Sequence, residues 1–247
     1  MAHRLDSAAL KLERAHEHVR TFSQHVQRWL EGKPYRVTRH LERAGAEHIY
    51  GIEVSSDPPP YLGTIVGDLA HNLMSALDSI AWDLSGDAIQ MLSESDRRSI
   101  GFPIAEEAQR YNPRPIRFAS PAAKAEVERS QPYHGEIPAD EPLWMIRELN
   151  RIDKHRYVVA VPALTMGSQW IDPGVPYEEF THPLGPLEDG AELARFRFGA
   201  PQPEVDMQFR PMIDVALGYR LPAGYVLDRL VEHVEKTLIP RFAPFFS

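Results

Sequence analysis

Between residues 5 and 30 apolar side chains return every seven positions. Leu5, Leu12, Val19 and Val26 form one row, and Ala8, Ala15, Phe22 and Trp29 follow three places after each. That spacing sets both rows on one side of an α-helix, as a seam that must lie along another helix at a shallow angle. The chain therefore has to supply a long helical partner, from its own length or from a second copy. Gly32 and Pro34 end the helix.

Two strands are expected next, over about 34–41 and 48–55, because Tyr35, Val37, Arg39 and Leu41 alternate with polar or smaller neighbours and a turn falls near Gly45. Pro58, Pro59 and Pro60 make a stiff break. A second long helix is predicted over 61–84. Leu62, Ile65, Leu69, Leu73, Ala76, Ile80 and Leu84 line one face of it. Gly63, Gly67, Ala70 and Ala81 form a strip of small residues where another backbone can come close.

Residues 85–139 are punctuated by proline, with a short helix expected near 120–130, capped by Ser120 and opened by Pro121. Asp140 is read as the cap of a helix over about 141–155, and Val226, Leu230, Val234 and Leu238 mark a last one over 222–239, ending before Pro240. Strands are expected over about 157–161, 193–198 and 205–217, with 166–190 as loop. The sum is an α+β fold in one domain, 1–247: a mainly helical bundle core with an antiparallel β-hairpin and additional short strands.

At 247 residues, 43% hydrophobic and 25% charged, the chain has an ordinary globular composition. The net charge of -8 opposes passive coating of nucleic acid or of an anionic membrane, while leaving room for a local basic groove. The absence of cysteine removes disulfide partners, thiolate catalysis and cysteine-ligated metals. No run of eighteen apolar residues exists to span a membrane. Met1 to Asp6 leads straight into the first helix without an apolar signal core, so a cytoplasmic location is expected.

Two places concentrate polar groups. The side of the second helix opposite its apolar face carries Asp68, His71, Asn72, Ser75, Asp78, Ser79 and Trp82. Solvated helix faces favour Glu, Lys, Gln and Arg, whereas Asn, Ser and Asp are poor helix-interior residues unless something uses them. A polar network or a lined cleft competes here with a plain solvated face. The other place is the end of the 141–155 helix, where Asn150, Arg151, Asp153, Lys154, His155 and Arg156 crowd beside the core stripe of Met145, Ile146, Leu149 and Ile152. A basic helix end satisfying its last carbonyls is the plainer reading of that run.

Candidate catalytic residues are Asp153, His155, His71 and Asp78, and candidate ligand-binding residues are Asn72, Ser75, Asn150 and Arg156. Asp/His pairs can serve as acid and base near neutrality. His71, Asp78, Asp153 and His155 lack a compact metal-ligand spacing, and no metal is assigned. His16-Glu17-His18 opens like a zincin helix, but Arg20 stands where a histidine is needed. Without a glycine-rich dinucleotide loop, a phosphate loop or a Gly-x-Ser-x-Gly elbow, no cofactor is called for.

The segment from Asp68 to Trp82, together with Asn150 to Arg156, resembles a family of uncharacterised actinobacterial and bacteriophage proteins with a HEPN-like helical core, the similarity running over most of the chain. Its members often read Asn-Leu-Arg-Ser-Ala-Leu-Asp-His in the first segment. The resemblance implies a helical bundle, a homodimer, and RNA, a nucleotide or a protein as partner. Many HEPN domains are metal-independent ribonucleases of toxin and phage-defence systems whose cleft is lined by the arginine and the histidine. Those positions are Met74 and Ser79 here, with Ser75 at the polar position. Methionine cannot stabilise a phosphate and serine cannot replace imidazole as acid or base, so a catalytically degenerate copy is implied. Arg20, Thr21 and His25 reproduce the same spacing on the first helix, which a composition with 11 histidines supplies by chance.

Three functional readings follow. One is a HEPN-like protein binding RNA, a nucleotide or a partner, another a hydrolase with an Asp/His site on the 61–84 and 141–156 helices, and the third a non-catalytic structural or regulatory dimer. The directions taken by Asn72, Asp78, Asn150 and Asp153 separate them.

Overall fold

The computed structural model describes residues 5–155, 158, 160–164, 169–170, 174–182, 185–205, 209–210, 212–215 and 221–246. Its backbone divides into two compact units, one of Met1–Thr21, Thr64–Val158 and Leu227–Ser247, the other of Phe22–Gly63 and Val159–Val226. The architecture is α+β, with a helical core and a four-stranded antiparallel sheet that includes a hairpin.

The first unit is built on α1 (Asp6–Glu31) as far as Thr21 and α2 (Tyr61–Leu84) from Thr64, two antiparallel helices. The Leu5 N–H donates to Asp83 Oδ2 at 2.9 Å, the Ser7 and Ser79 hydroxyls meet at 3.1 Å, and Asn72 Nδ2 lies 3.4 Å from His18 Nε2. Partners on α2 thus descend as residues on α1 rise. The heptad seam closes within the chain: Ala8, Leu12, Ala15 and Val19 are buried. A dimer formed through that face is accordingly not what the seam serves.

Burial on α2 runs further round the helix than its predicted apolar face. Val66 and Leu77 are fully buried alongside Leu69, Leu73, Ala76 and Ile80, and so is the small strip at Ala70 and Ala81. Only a narrow strip including Asp68, His71 and Trp82 is exposed. Among the described residues no helix is long and apolar enough to cross a membrane.

After the short helix α3 (Glu94–Arg98), an extended stretch runs through Phe102 and Ala105, and two 3₁₀ turns, Ala108–Arg110 and Arg114–Ile116, lead on to α4 (Pro121–Arg129). The predicted cap is present, with the Ser120 hydroxyl accepting from the Ala123 N–H at 3.2 Å and Pro121 opening the helix. Then comes α5 (Pro142–His155). Asp140 does not cap it. That residue ends a 3₁₀ turn, Pro138–Asp140, and the Glu141 carbonyl accepts the first helical bond, from the Met145 N–H. The helix therefore starts at Pro142, whose missing N–H needs no partner at that position.

The last helix also differs from the expectation. Following α6 (Ala223–Glu232), six residues, His233–Leu238, turn as a π-helix, and α7 (Ile239–Phe242) continues past Pro240. The proline sits just after the π turn, where the regular hydrogen-bond ladder is already interrupted, and the rod continues past it. Phe242 is buried edge-on against Phe102, with ring centroids 5.8 Å apart.

In the second unit β1 (Tyr35–Glu42) pairs in register with β2 (Glu47–Val54), from Tyr35↔Val54 to Glu42↔Glu47. Gly45 in the turn has φ +89°, a left-handed conformation natural to glycine. Expected loop residues instead contribute β4 (Gln169–Trp170), β5 (Glu179–Thr181) and β6 (Gly185–Pro186), after β3 (Ala160–Leu164). Short edge strands of this kind carry too few alternating residues to be seen as a pattern. The chain continues through β7 (Glu192–Arg197), β8 (Phe209–Arg210) and β9 (Met212–Val215). Pro211, predicted to interrupt a strand, lies outside the described residues, as does Tyr157.

The main sheet has the order β1-β2-β7-β5, while β3 pairs with β6 and β9, and β4 with β8. One face of the main sheet is covered by Tyr50, Ile52, Leu193, Phe196 and Phe198. The Phe180 and Phe196 rings stack at 4.4 Å across β5 and β7. Beside them Glu47 is nearly buried and holds Arg195 at 3.0 Å and Arg43 at 2.8 Å. The hydrogen bond from Arg195, with Arg43 and Arg197 close by, holds the Glu47 carboxyl below the usual range.

Candidate functional site

All described candidate residues lie in the first unit, on α2 and α5. One close approach and one electrostatic interaction show how these helices meet. Asp153 lays its carboxylate across Gly67, so closely that a methyl group at Gly67 would overlap Oδ1. Lys154, for its part, is near enough to Asp78 to act on its charge. The small strip on α2 is therefore used, at Gly67, by a side chain of α5.

Asp78 is half-buried, and its Oδ1 accepts the Phe102 N–H at 2.9 Å. Gly101 passes so close that an added Cβ would stand 3.2 Å from the same oxygen. Burial pushes the Asp78 carboxyl above the ordinary aspartate range, opposed by the Phe102 hydrogen bond and by the positive charges of Lys154 and His71. The extended stretch it holds has a second anchor. Gln131 is buried, accepts the Ala105 N–H at 2.9 Å and donates to the Pro103 and Val127 carbonyls, each at 2.9 Å. Two side chains thus take the place of a missing strand partner for residues 102–105.

Two other polar residues of α2 bond back to their own helix. Asn72 donates to the Asp68 carbonyl at 2.8 Å. Ser79 donates to the Ser75 carbonyl at 2.9 Å, besides meeting Ser7. His18, which Asn72 faces, is held below the ordinary imidazole range mainly by burial and further by Arg14. Such bonds to the preceding turn explain how serine and asparagine are tolerated mid-helix.

On α5 Asn150 is 7% exposed, and its buried Oδ1 has no hydrogen-bond partner among the described residues. His155 and Lys154 are exposed at the helix end, His71 is exposed on α2, and Arg156 lies outside the described residues.

The structure sets Asp78 on the Phe102 N–H, within electrostatic range of His71 and Lys154, and sets Asp153 over Gly67. Gly67 and Asp78 are eleven residues apart, roughly 16 Å along a helix rising 1.5 Å per residue. Asp153 over Gly67 and Asp78 at Phe102 therefore do not face one reacting atom. Among the described residues no three His, Asp or Glu side chains gather as a metal would need.

The parts that sequence reading missed are the acceptors of backbone N–H groups. Gln131 had no periodic signal, and Phe102 and Ala105 offered only their backbone amides. A hint did exist for Asp78, as an aspartate in mid-helix needs an external donor. Comparison with known protein families, with functionally described proteins and with solved structures gives no match to this chain.

Proposed function

We propose that this chain is a HEPN-like partner-binding or regulatory protein in which the polar face of α2 holds the helical unit together and does no ribonuclease chemistry. The observation that carries the reading is the Asp78–Phe102 bond: the most acid-like group of the strip is spent on a backbone N–H. Ser79, at the position of the family's histidine, is likewise engaged, by Ser75 and Ser7. Met74, at the arginine position, offers no charge to a phosphate. A net charge of -8 favours a protein partner over RNA or a nucleotide.

The test sets single-stranded RNA oligonucleotides against the wild-type chain and Asp78→Asn. Expected are no cleavage by either and no salt-dependent binding. Cleavage abolished by Asp78→Asn would contradict the reading. The resemblance to dimeric relatives extends the proposal to a two-fold dimer in the cytoplasm through a face other than the α1 seam. Sedimentation across a concentration series checks it, and a monomer throughout removes that extension.

A hydrolase remains the second reading, favoured by one observation: burial raises the Asp78 carboxyl above the ordinary aspartate range, with His71 and Lys154 within electrostatic range. Turnover of simple ester or phosphodiester substrates that disappears in Asp78→Asn, with the fold intact, would put it first.

A further inference from the structure

In the second unit, where the last turns of α1 meet the first residue of α2, three polar side chains gather around one atom. The Tyr61 hydroxyl and Arg28 Nη1 each lie 3.2 Å from His25 Nδ1. The Tyr61 and His25 rings meet edge to face, with centroids 4.8 Å apart. Arg28 is exposed and Tyr61 is 46% exposed, so both donors can be reached from solvent.

These bonds fix the tautomer of His25 and leave one donor too many. A guanidinium only donates, so Nδ1 is the acceptor nitrogen and the ring proton sits on Nε2. The Tyr61 hydroxyl must then donate to the same nitrogen. An imidazole nitrogen has a single lone pair, and two donors aimed at it have to share one acceptor.

Nothing nearby relieves them. Among the described residues the Arg28 and Tyr61 side chains have no other hydrogen-bond partner, and Arg28 meets no carboxylate. Glu31, one turn further along α1, accepts from Gln27 at 3.2 Å instead. In the same unit Arg36, Arg43, Arg195 and Arg197 each hold a carboxylate. Arg28 is turned to a neutral ring.

We propose that this cluster binds a phosphate monoester, whose oxygens take the Arg28 and Tyr61 donors that now share one nitrogen. Two donors within hydrogen-bond distance of a single atom stand close enough together for one tetrahedral oxyanion to accept from both. Each donor then exchanges a share in a neutral nitrogen for an anionic oxygen of its own, the stronger class of acceptor. Arg28 brings a full positive charge with no carboxylate to cancel it, which favours a dianion over a monoanion.

The experiment is an NMR titration of the whole chain at constant ionic strength with phenyl phosphate, inorganic phosphate, dimethyl phosphate and acetate, reading the His25 ring signals. Phenyl phosphate and inorganic phosphate are expected to shift these signals saturably. Dimethyl phosphate and acetate, with one charge each, should bind at least about threefold more weakly. Tyr61→Phe keeps the ring against His25 and loses only the hydroxyl, and should weaken phenyl phosphate at least about threefold. Arg28→Gln should weaken it at least about tenfold. Arg36→Gln, at an arginine already paired with Glu53, should leave binding unchanged.

Shifts that do not saturate, or an equal loss in Arg36→Gln and Arg28→Gln, would overturn the proposal in favour of unspecific attraction of anions. Unchanged binding by Tyr61→Phe overturns the convergence of donors on which it rests. Acetate or dimethyl phosphate binding as well as phenyl phosphate, or inorganic phosphate binding without phenyl phosphate, overturns the monoester as ligand. The ranking of the four probes on the wild-type chain decides even where a variant does not fold.

Discussion

Two carboxylates, Glu47 in the sheet and Asp78 in the helical unit, are both withdrawn from water and have opposite electrostatic fates. Glu47 sits between guanidinium groups, Arg195 at 3.0 Å and Arg43 at 2.8 Å, and stays ionised below the usual carboxylate range. Asp78 receives one backbone N–H, with Lys154 and His71 acting only from a distance, and burial wins. The difference teaches that burial alone does not define a site. What matters is whether the partners favour the charged form strongly enough to offset desolvation. A raised aspartate on a polar helix face is the pattern that suggests an active site. Here it also arises from a side chain holding an irregular strand in place.

That contrast can be broken by mutation. The first break is made in the sheet. Glu47→Ala removes the acceptor shared by Arg195 and Arg43 beside the sheet, and Tm should fall, as read by calorimetry, although Arg195 keeps Glu192 as a partner. Next comes the helix crossing. Gly67→Ala should cost about 1–3 kcal/mol in a denaturant melt, because a methyl overlaps the Asp153 carboxylate. Adding Asp153→Ala should recover much of that loss, and a purely additive double mutant would show that the close approach is not the cause.

At Asp78 the expected loss divides by chemistry. Asp78→Ala orphans the Phe102 N–H and should cost about 1–3 kcal/mol, whereas Asp78→Asn keeps an acceptor oxygen and should stay within about 1 kcal/mol at neutral pH. Equal losses would mean that the charge matters more than the hydrogen bond. Smallest is Ser7→Ala, at most about 0.5 kcal/mol, as its bond to Ser79 is exposed.

How far the sequence carried the reading follows from the range of each interaction. The α1 seam, the β1–β2 hairpin and the Ser120-Pro121 helix start are local patterns, and each is found within a residue or so of its predicted place. The π turn was hidden because Val226, Leu230, Val234 and Leu238 keep a four-residue spacing that an ordinary helix also satisfies. Among the candidate residues, Asn72, Asp78, Asn150 and Asp153 were singled out as the groups whose directions separate the readings. Their destinations were not legible: the Phe102 N–H and the bare backbone of Gly67 are distant in sequence and carry no side-chain signal.

The most direct test of the role given to Asp78 is the pH dependence of unfolding free energy, wild type beside Asp78→Asn, with Glu47→Gln as the opposing control. A carboxyl raised by folding binds its proton more tightly in the native state. Its contribution is therefore complete below the unfolded aspartate value and is lost as pH rises through the higher native value. Wild type should lose stability relative to Asp78→Asn over that interval and then level off. Glu47 is depressed by folding, so wild type should gain relative to Glu47→Gln as pH rises from the native value to the unfolded one. Opposite slopes for the two pairs are the result expected. A wild-type advantage over Asp78→Asn that grows with pH would contradict it, since Asp78 would then be a stabilised anion and not a buried acceptor holding Phe102.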